Sequence, residues 1–176
     1  MRGRALWVVA AVAAAVAFFV IWPFFRQGSN NAVGPAGLAG SPAPVFDLLD
    51  DRGAAASLAG YRGKVVVMNL WASWCPPCRA EMPDLQRLYA RYERRGVVVV
   101  GVNEGESAQR AAAFAQSLQL RCPIWIDDQQ RYGRNYAALG LPTTVVVGRD
   151  GTVVHGYDGA LTYSQMQSAV EPLAAK

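Results

Sequence analysis

The stretch NLWASWCPPCRAEMP, residues 69–83, sets two of the chain's three cysteines two residues apart, directly behind an apolar run. Three chemistries use such a pair: a dithiol-disulfide couple, half of a metal site, or a structural staple. A structural zinc ion takes about four ligands, and beyond this pair the sequence offers only Cys122 and His155 as Cys or His donors. A staple across so short a loop constrains little of the unfolded chain and adds little stability. The context favours the redox couple, because the C-x-x-C stands beside a β-α-β pattern.

That pattern is read outward from the cysteines. KVVVMNLWA (64–72) is a β-branched run of the kind that fills a buried central strand. Behind the cysteines, Met82, Leu85, Leu88 and Tyr92 recur at helical spacing, and VVVVGVN (97–103) supplies a second buried strand, so the unit is a parallel crossover. Upstream, VFDLLDDRGAAASL (45–58) reads as a short hairpin turning at Asp51, Arg52 and Gly53. Downstream come an alanine-rich helix with Phe114 and Leu118 four apart, a brief strand PIWI (123–126) and a short helix in QQRYGRNYAAL (129–139). TTVVVGRDGTVVHGY (143–157) reads as an antiparallel hairpin around an Asp-Gly turn. The last helix opens at Thr162, where Thr162 and Gln165 form a capping box, and buries Met166, Val170 and Leu173. The fold class is an α/β sandwich: a central mixed sheet flanked by helices, with an N-terminal hairpin added.

The 176 residues, 52% hydrophobic, suffice for one ordinary domain with an appendage. The appendage is ALWVVAAVAAAVAFFVIWPFF (5–25), uncharged and long enough to cross a bilayer core of roughly 30 Å as a helix. A cleaved signal peptide fits less well, since such apolar regions run about 7 to 15 residues. Arg2, Arg4 and the amino terminus precede the span and Arg26 alone follows it, which places everything after residue 26 outside the cytoplasm. The organisation is then a cytoplasmic N-terminus and transmembrane anchor (1–26), a tether rich in Gly, Ala, Pro, Ser and Asn (27–44) and one domain (45–176). The formal charge of +4 resides largely in those three arginines. The remainder carries 14 Lys or Arg against 13 acids, which leaves no electrostatic footprint for nucleic acid.

The strand-to-helix junction explains the cysteine spacing. Cys75 falls at or just before the first helical turn, where unpaired N–H groups and the positive end of the helix dipole favour a thiolate. Cys78 falls inside that turn. Pro76 and Pro77 suit an opening turn, which needs no donors there, but they withdraw two N–H groups and leave mainly those of Cys78 and Arg79 to hold the thiolate. The expected nucleophile is moderately activated.

WASWCPPCRAEMP, taken with GLPTT (140–144), VGVNEGES (101–107 with Val100) and RDGTVVHGYDGALT (149–162), resembles the thioredoxin superfamily. Within it the likeness is to the membrane-anchored ResA/TlpA-type, CcmG-related thiol-disulfide oxidoreductases, over residues 41–176. The resemblance implies a thioredoxin-like fold in which Pro142 is cis and packs against the cysteines, and in which the backbone of Leu141 pairs with substrate. It implies that Pro83 kinks the active-site helix and that Trp74 covers the site. Thioredoxin carries a buried aspartate at the position of Asn69, and an amide cannot take a proton at neutral pH. Glu81, three residues after Cys78 on the same helix face, is the replacement acid-base group that the ResA-like pattern implies.

The resemblance also implies an activity: reduction of client disulfides through a Cys75/Cys78 cycle, without a cofactor, in an otherwise oxidising compartment at the bacterial inner membrane. The client it suggests is apocytochrome c, and the electron donor a CcdA/DsbD-type membrane protein. Pro142 is followed by Thr143, where the CcmG branch has glutamate, so the client assignment is looser than the family one. A general disulfide oxidase and a Cu(I) metallochaperone using both thiolates stand as alternatives. A peroxidase of this fold needs a threonine-containing loop that SWCPPC does not resemble. Cys122 is read as a buried free thiol acting as a small hydrophobe, and His155 is assigned no role.

Overall fold

The run at 65–71 forms strand β3 (Val65–Trp71), every residue of which is buried. A strand covered on both faces and both edges carries no polar alternation, and Val, Met and Leu fill it accordingly. In the computed structural model, which describes residues 34–175, β3 is an interior strand, between β4 and β6, of a seven-stranded sheet ordered β2-β1-β5-β4-β3-β6-β7. Strands β4 (Val97–Glu104) and β5 (Ile124–Asp127) run parallel to β3 on one side. On the other side β6 (Thr143–Val147) pairs antiparallel with β3, and β7 (Val153–Asp158) pairs antiparallel with β6. The hairpin expected near Asp51 is present as β1 (Leu48–Asp50) and β2 (Ala55–Ala56), and β1 extends the sheet by pairing antiparallel with β5.

Side chains alternate between two layers, as the pleat requires. Val65, Val67 and Trp71 pack with α1 (Pro76–Tyr92), α2 (Ala108–Ser117) and α4 (Tyr163–Val170). Val66, Met68 and Leu70 face the other layer, filled by Trp125, Leu58 and the stacked Tyr132 and Tyr136 on and after α3 (Arg131–Asn135). Gly101 on β4 is glycine because the Trp71 indole lies over it: a Cβ there would fall 2.8 Å from Nε1. Helix α1 buries Met82, Leu85, Leu88 and Tyr92, the four positions that the spacing selects. Helix α4 begins with the full Thr162–Gln165 capping box. Helix α2 differs from expectation: it ends at Ser117, so Leu118 is its exposed C-cap, while Ala111 and Ala115 are buried and Phe114 packs on Trp71.

The reading of 27–44 as a tether is corrected over its described part. Residues 34–44 lie along the edge strand β7. Gly40 N–H donates to Val153 O at 2.8 Å, Val153 N–H to Ser41 O at 2.9 Å and Ala43 N–H to Gly151 O at 2.9 Å. Pairing covers an edge that would otherwise be exposed. Its composition, rich in Gly and Pro, reflects a close crossing: a Cβ on Gly156 would come within 2.3 Å of the Pro35 carbonyl carbon. A Gly156→Val variant should therefore lift this strap. Loss of about 1–3 kcal/mol in urea unfolding, together with new protease cleavage before residue 44, is the expected result. The apolar stretch 5–25, the anchor reading and residues 27–33 lie outside the described residues. Among the described residues, no helix is long and apolar enough to cross a membrane.

Candidate active site

Chain direction alone brings the two cysteines to the carboxyl end of the central strand. β3 ends at Trp71, a short turn follows, and Cys75 is the N-cap of α1. Cys75 and Cys78 form a disulfide with Cα atoms 5.3 Å apart. The Cys78 N–H donates to Cys75 Sγ at 3.3 Å, as an N-cap side chain requires. The expectation of two donors is corrected: Arg79 N–H is used by the Cys75 carbonyl at 3.2 Å, so a single backbone donor faces the sulfur. Pro76 and Pro77 occupy the opening positions, where a missing N–H leaves no helical bond unmade. Pro83 lies inside α1, which continues to Tyr92 with the Arg79 carbonyl lacking its usual donor.

Both cysteines are buried, whereas Trp74 between the turn and the nucleophile is 61% exposed. Trp74 is thus a surface feature at the rim of the disulfide and no part of the core. The Leu141–Pro142 bond is cis. Register places it: Thr143 pairs with Leu70, so Pro142 comes beside the end of β3, and Leu141 packs on the cluster that contains Cys75 and Cys78. The loop carrying it is clasped from β7. Asp158 Oδ1 accepts from Leu139 N–H at 3.0 Å and lies 2.8 Å from Thr143 Oγ1, and Gly159 N–H donates to Pro142 O at 2.8 Å. Beside it opens a pocket of about 270 Å³ lined by Glu104, Arg134, Leu139 and Leu141.

Behind Cys78, Glu81 is 3% exposed. Its Oε1 lies 3.5 Å from Asn69 Nδ2, a weak contact, since the same amide donates at 3.0 Å to Thr144 Oγ1. Its Oε2 has no hydrogen-bond partner. Burial pushes the Glu81 carboxyl up to about 7, opposed by the Leu161 backbone and the Asn69 amide. A carboxyl titrating there exchanges protons readily at neutral pH. Glu104, at the end of β4, is also pushed up to about 7, by burial and by Asp127 beside it, while the Gly133 N–H donates to its Oε1 at 3.2 Å. Cys122 is buried, and desolvation raises its thiol to about 11, which makes it inert. His155 is on β7, 6.0 Å from the Tyr157 ring.

Residue spacing left some groups around the cysteines unidentified. Glu106, in the turn after β4, holds Ser73, two residues before Cys75, through bonds to both its N–H and its hydroxyl. Asp158 and Glu104 were likewise without a signal, since an acid at the end of a strand reads as a solvated loop residue until the fold folds it inward.

A C-x-x-C disulfide capping a helix, with a cis-proline loop packed alongside, defines a thiol-disulfide oxidoreductase of thioredoxin-like fold. The comparisons agree. The sequence matches the AhpC/TSA family over residues 39–156. It is 34% identical over 166 residues, 94% of this chain and 92% of the relative, to the thiol-disulfide oxidoreductase ResA of Geobacillus kaustophilus. The ResA of Geobacillus thermodenitrificans is 35% identical over 91% of this chain and 88% of its own. Among solved structures, a putative thiol:disulfide interchange protein DsbE from Chlorobium tepidum superposes with a TM-score of 0.73 at 28% identity, covering 77% of this chain and 96% of that one. The chain belongs to the AhpC/TSA family and, within it, to the ResA group of thiol-disulfide oxidoreductases.

Proposed function

We propose that this oxidoreductase works outside the cytoplasm, anchored in the inner membrane by residues 5–25, and reduces disulfides of client proteins, with apocytochrome c as the client class. The observation that carries the reading is the placement of a neutral-range carboxyl, Glu81, behind Cys78 in a pocket where Asn69 supplies no base. In the reduced protein the Cys75 thiolate attacks one sulfur of the client disulfide. A Cys75–client mixed disulfide forms, and the departing client sulfur takes a proton. Glu81 then accepts the proton of Cys78, whose sulfur attacks Cys75 Sγ. The Cys75–Cys78 disulfide closes, and the second client sulfur leaves as a thiol. Two electrons pass to the client, and a donor dithiol of CcdA/DsbD type restores the pair.

The Leu141 backbone, next to Pro142, is the strip along which an extended client segment is laid, and the exposed Trp74 offers it an apolar contact beside Cys75. The client class and the location rest on the ResA likeness and on the apolar stretch at 5–25.

Direction is tested by equilibrating the full-length protein against thiol buffers of known poise and quantifying Cys75–Cys78 oxidation. A reduction potential at or below about −230 mV, near that of thioredoxin, is expected of a reductant. A value near about −120 mV, that of a strong oxidant, would reverse the assigned electron flow.

A further inference from the structure

The turn that presents Cys75 is bonded to an ionised group from the other side of the crossover. Glu106 is 6% exposed, and four donors converge on it. Ser73 N–H gives to Oε2 at 2.7 Å, Ser73 Oγ–H to Oε1 at 2.6 Å and Asn103 Nδ2 to Oε2 at 2.8 Å; Arg110 Nε lies 3.0 Å from Oε1. The Arg110 Nε also reaches Ser73 Oγ at 3.2 Å. Burial by itself would raise this carboxyl, but the bonds from Asn103 and Ser73 and the Arg110 charge outweigh it and hold Glu106 below the usual carboxylate range. The anion is therefore permanent at neutral pH. Only Trp74 separates Ser73 from Cys75, so their Cα atoms are at most about 7 Å apart.

We propose that Glu106 is a positioning residue for disulfide exchange. It fixes the Ser73–Cys75 turn ahead of α1, and its negative charge disfavours the Cys75 thiolate, so the couple is tilted toward the disulfide and the reduced protein donates electrons more strongly. A thiolate-stabilising site does the reverse, as strong oxidants of this chemistry show. Arg110 opposes the effect, but its side chain is 65% exposed and its field is screened, whereas that of the buried carboxylate is not. The other charges near the pair are Arg79 and Glu81 on its own helix and Glu104 and Arg134 beside the cis-proline loop. Arg79 rests over the Phe114 ring at 5.5 Å, and Glu81 stands behind Cys78.

With the carboxylate bonded to Ser73, on the order of 10 Å from the Cys75 sulfur, and an effective dielectric between that of a protein surface and water, one charge moves a thiol by roughly 0.3 to 1.2 pKa units.

The test compares Glu106→Gln, Glu106→Asp and Arg110→Gln in the reduced full-length protein. Cys75 alkylation is followed against pH by peptide mass, and the thiol-buffer equilibrium is measured in parallel. Glu106→Gln removes the charge and keeps one of the two acceptor oxygens, whereas Glu106→Asp keeps both and the charge. In Glu106→Gln the Cys75 thiolate fraction at pH 7 should rise about twofold to fifteenfold, with the equilibrium shifted toward the dithiol. Glu106→Asp should restore most of the wild-type value. Arg110→Gln should move both readouts the opposite way by less. If the network only held the turn in place, Glu106→Gln and Arg110→Gln would loosen the same turn and shift in the same direction, and that result overturns the proposal. Should Glu106→Gln fail to fold, a gain in thiolate fraction in Arg110→Gln overturns it alone and a loss supports it. The inference rests on Cys75 being the attacking thiol: wild-type Cys75 that alkylated no faster than Cys122 would sink that reading, whereas unchanged titration in all three variants sinks only the role of Glu106.

Discussion

A Cys78→Ser variant should lose turnover to the level of uncatalysed thiol exchange and accumulate covalently joined to its client through Cys75. The chemistry divides into capture and release, and only release needs the second sulfur. Cys75 Sγ keeps its N-cap donor from residue 78, because that bond uses a backbone N–H, which serine retains. Capture therefore survives. Cys75→Ser should abolish both capture and turnover. Cys122 cannot stand in for either residue: it is buried, and with a thiol raised to about 11 its thiolate fraction at pH 7 is on the order of 10⁻⁴. Non-reducing gels of membranes expressing Cys78→Ser, with a Cys75→Ser/Cys78→Ser double variant as control, check this. Adducts that persist in the double variant would mean that the wrong thiol has been assigned. The mixed-disulfide partner, identified by mass spectrometry, is also the direct test of the client class: apocytochrome c in the adduct supports it, and its consistent absence removes it.

Much of this site was legible because it is local. The strand-turn-helix around Cys75 follows from a β-branched run, two prolines that only an opening helical turn accepts, and apolar residues at helical spacing behind them. The capping box at Thr162 and the Asp-Gly hairpin are local in the same sense. What the sequence hid depends on distant segments meeting. Glu106 and Ser73 are 33 residues apart and Asn69 and Thr144 are 75 apart, so neither bond has a spacing rule. The strap at 34–44 was hidden for a related reason. Its Gly and Pro residues are those of a flexible coil, and only the bare backbone of Gly156 opposite makes room for Pro35 to dock. Helix α2 shows the limit of periodicity itself: Phe114 and Leu118 are spaced for one face, but the helix ends at Ser117, so Leu118 falls on its exposed cap while Phe114 packs on Trp71.

Glu81→Gln should separate proton transfer from structure. Glutamine preserves the shape and can still accept from Asn69, yet it takes no proton from Cys78. Client reduction at pH 7 should fall on the order of 10²-fold, the scale of a lost general base, and the limb of the rate profile near pH 7 should disappear. The deficit should narrow as the pH is raised further, because hydroxide can then take the Cys78 proton that no side chain accepts. Stability should move the other way. Burial raises the Glu81 carboxyl from 4.5 to about 7, so its folded-state value lies above its unfolded one. The stability this group confers is complete below about pH 4.5 and is lost as pH rises through 7, a difference of roughly 3 kcal/mol when the shift is converted at 1.36 kcal/mol per unit. Glu104, raised to about 7 as well, loses stability over the same window. Urea unfolding of the oxidised wild type at pH 5 and pH 8 should therefore show a large decline, and Glu81→Gln should remove about half of it, leaving the part due to Glu104. A variant that is slow at pH 7 and more stable at pH 8 is the signature of a buried carboxyl kept for its proton. A variant equally slow but with the wild-type decline intact would mean that Glu81 serves as the base without a raised carboxyl, whereas a variant as fast as the wild type would mean that the Cys78 proton leaves by another route.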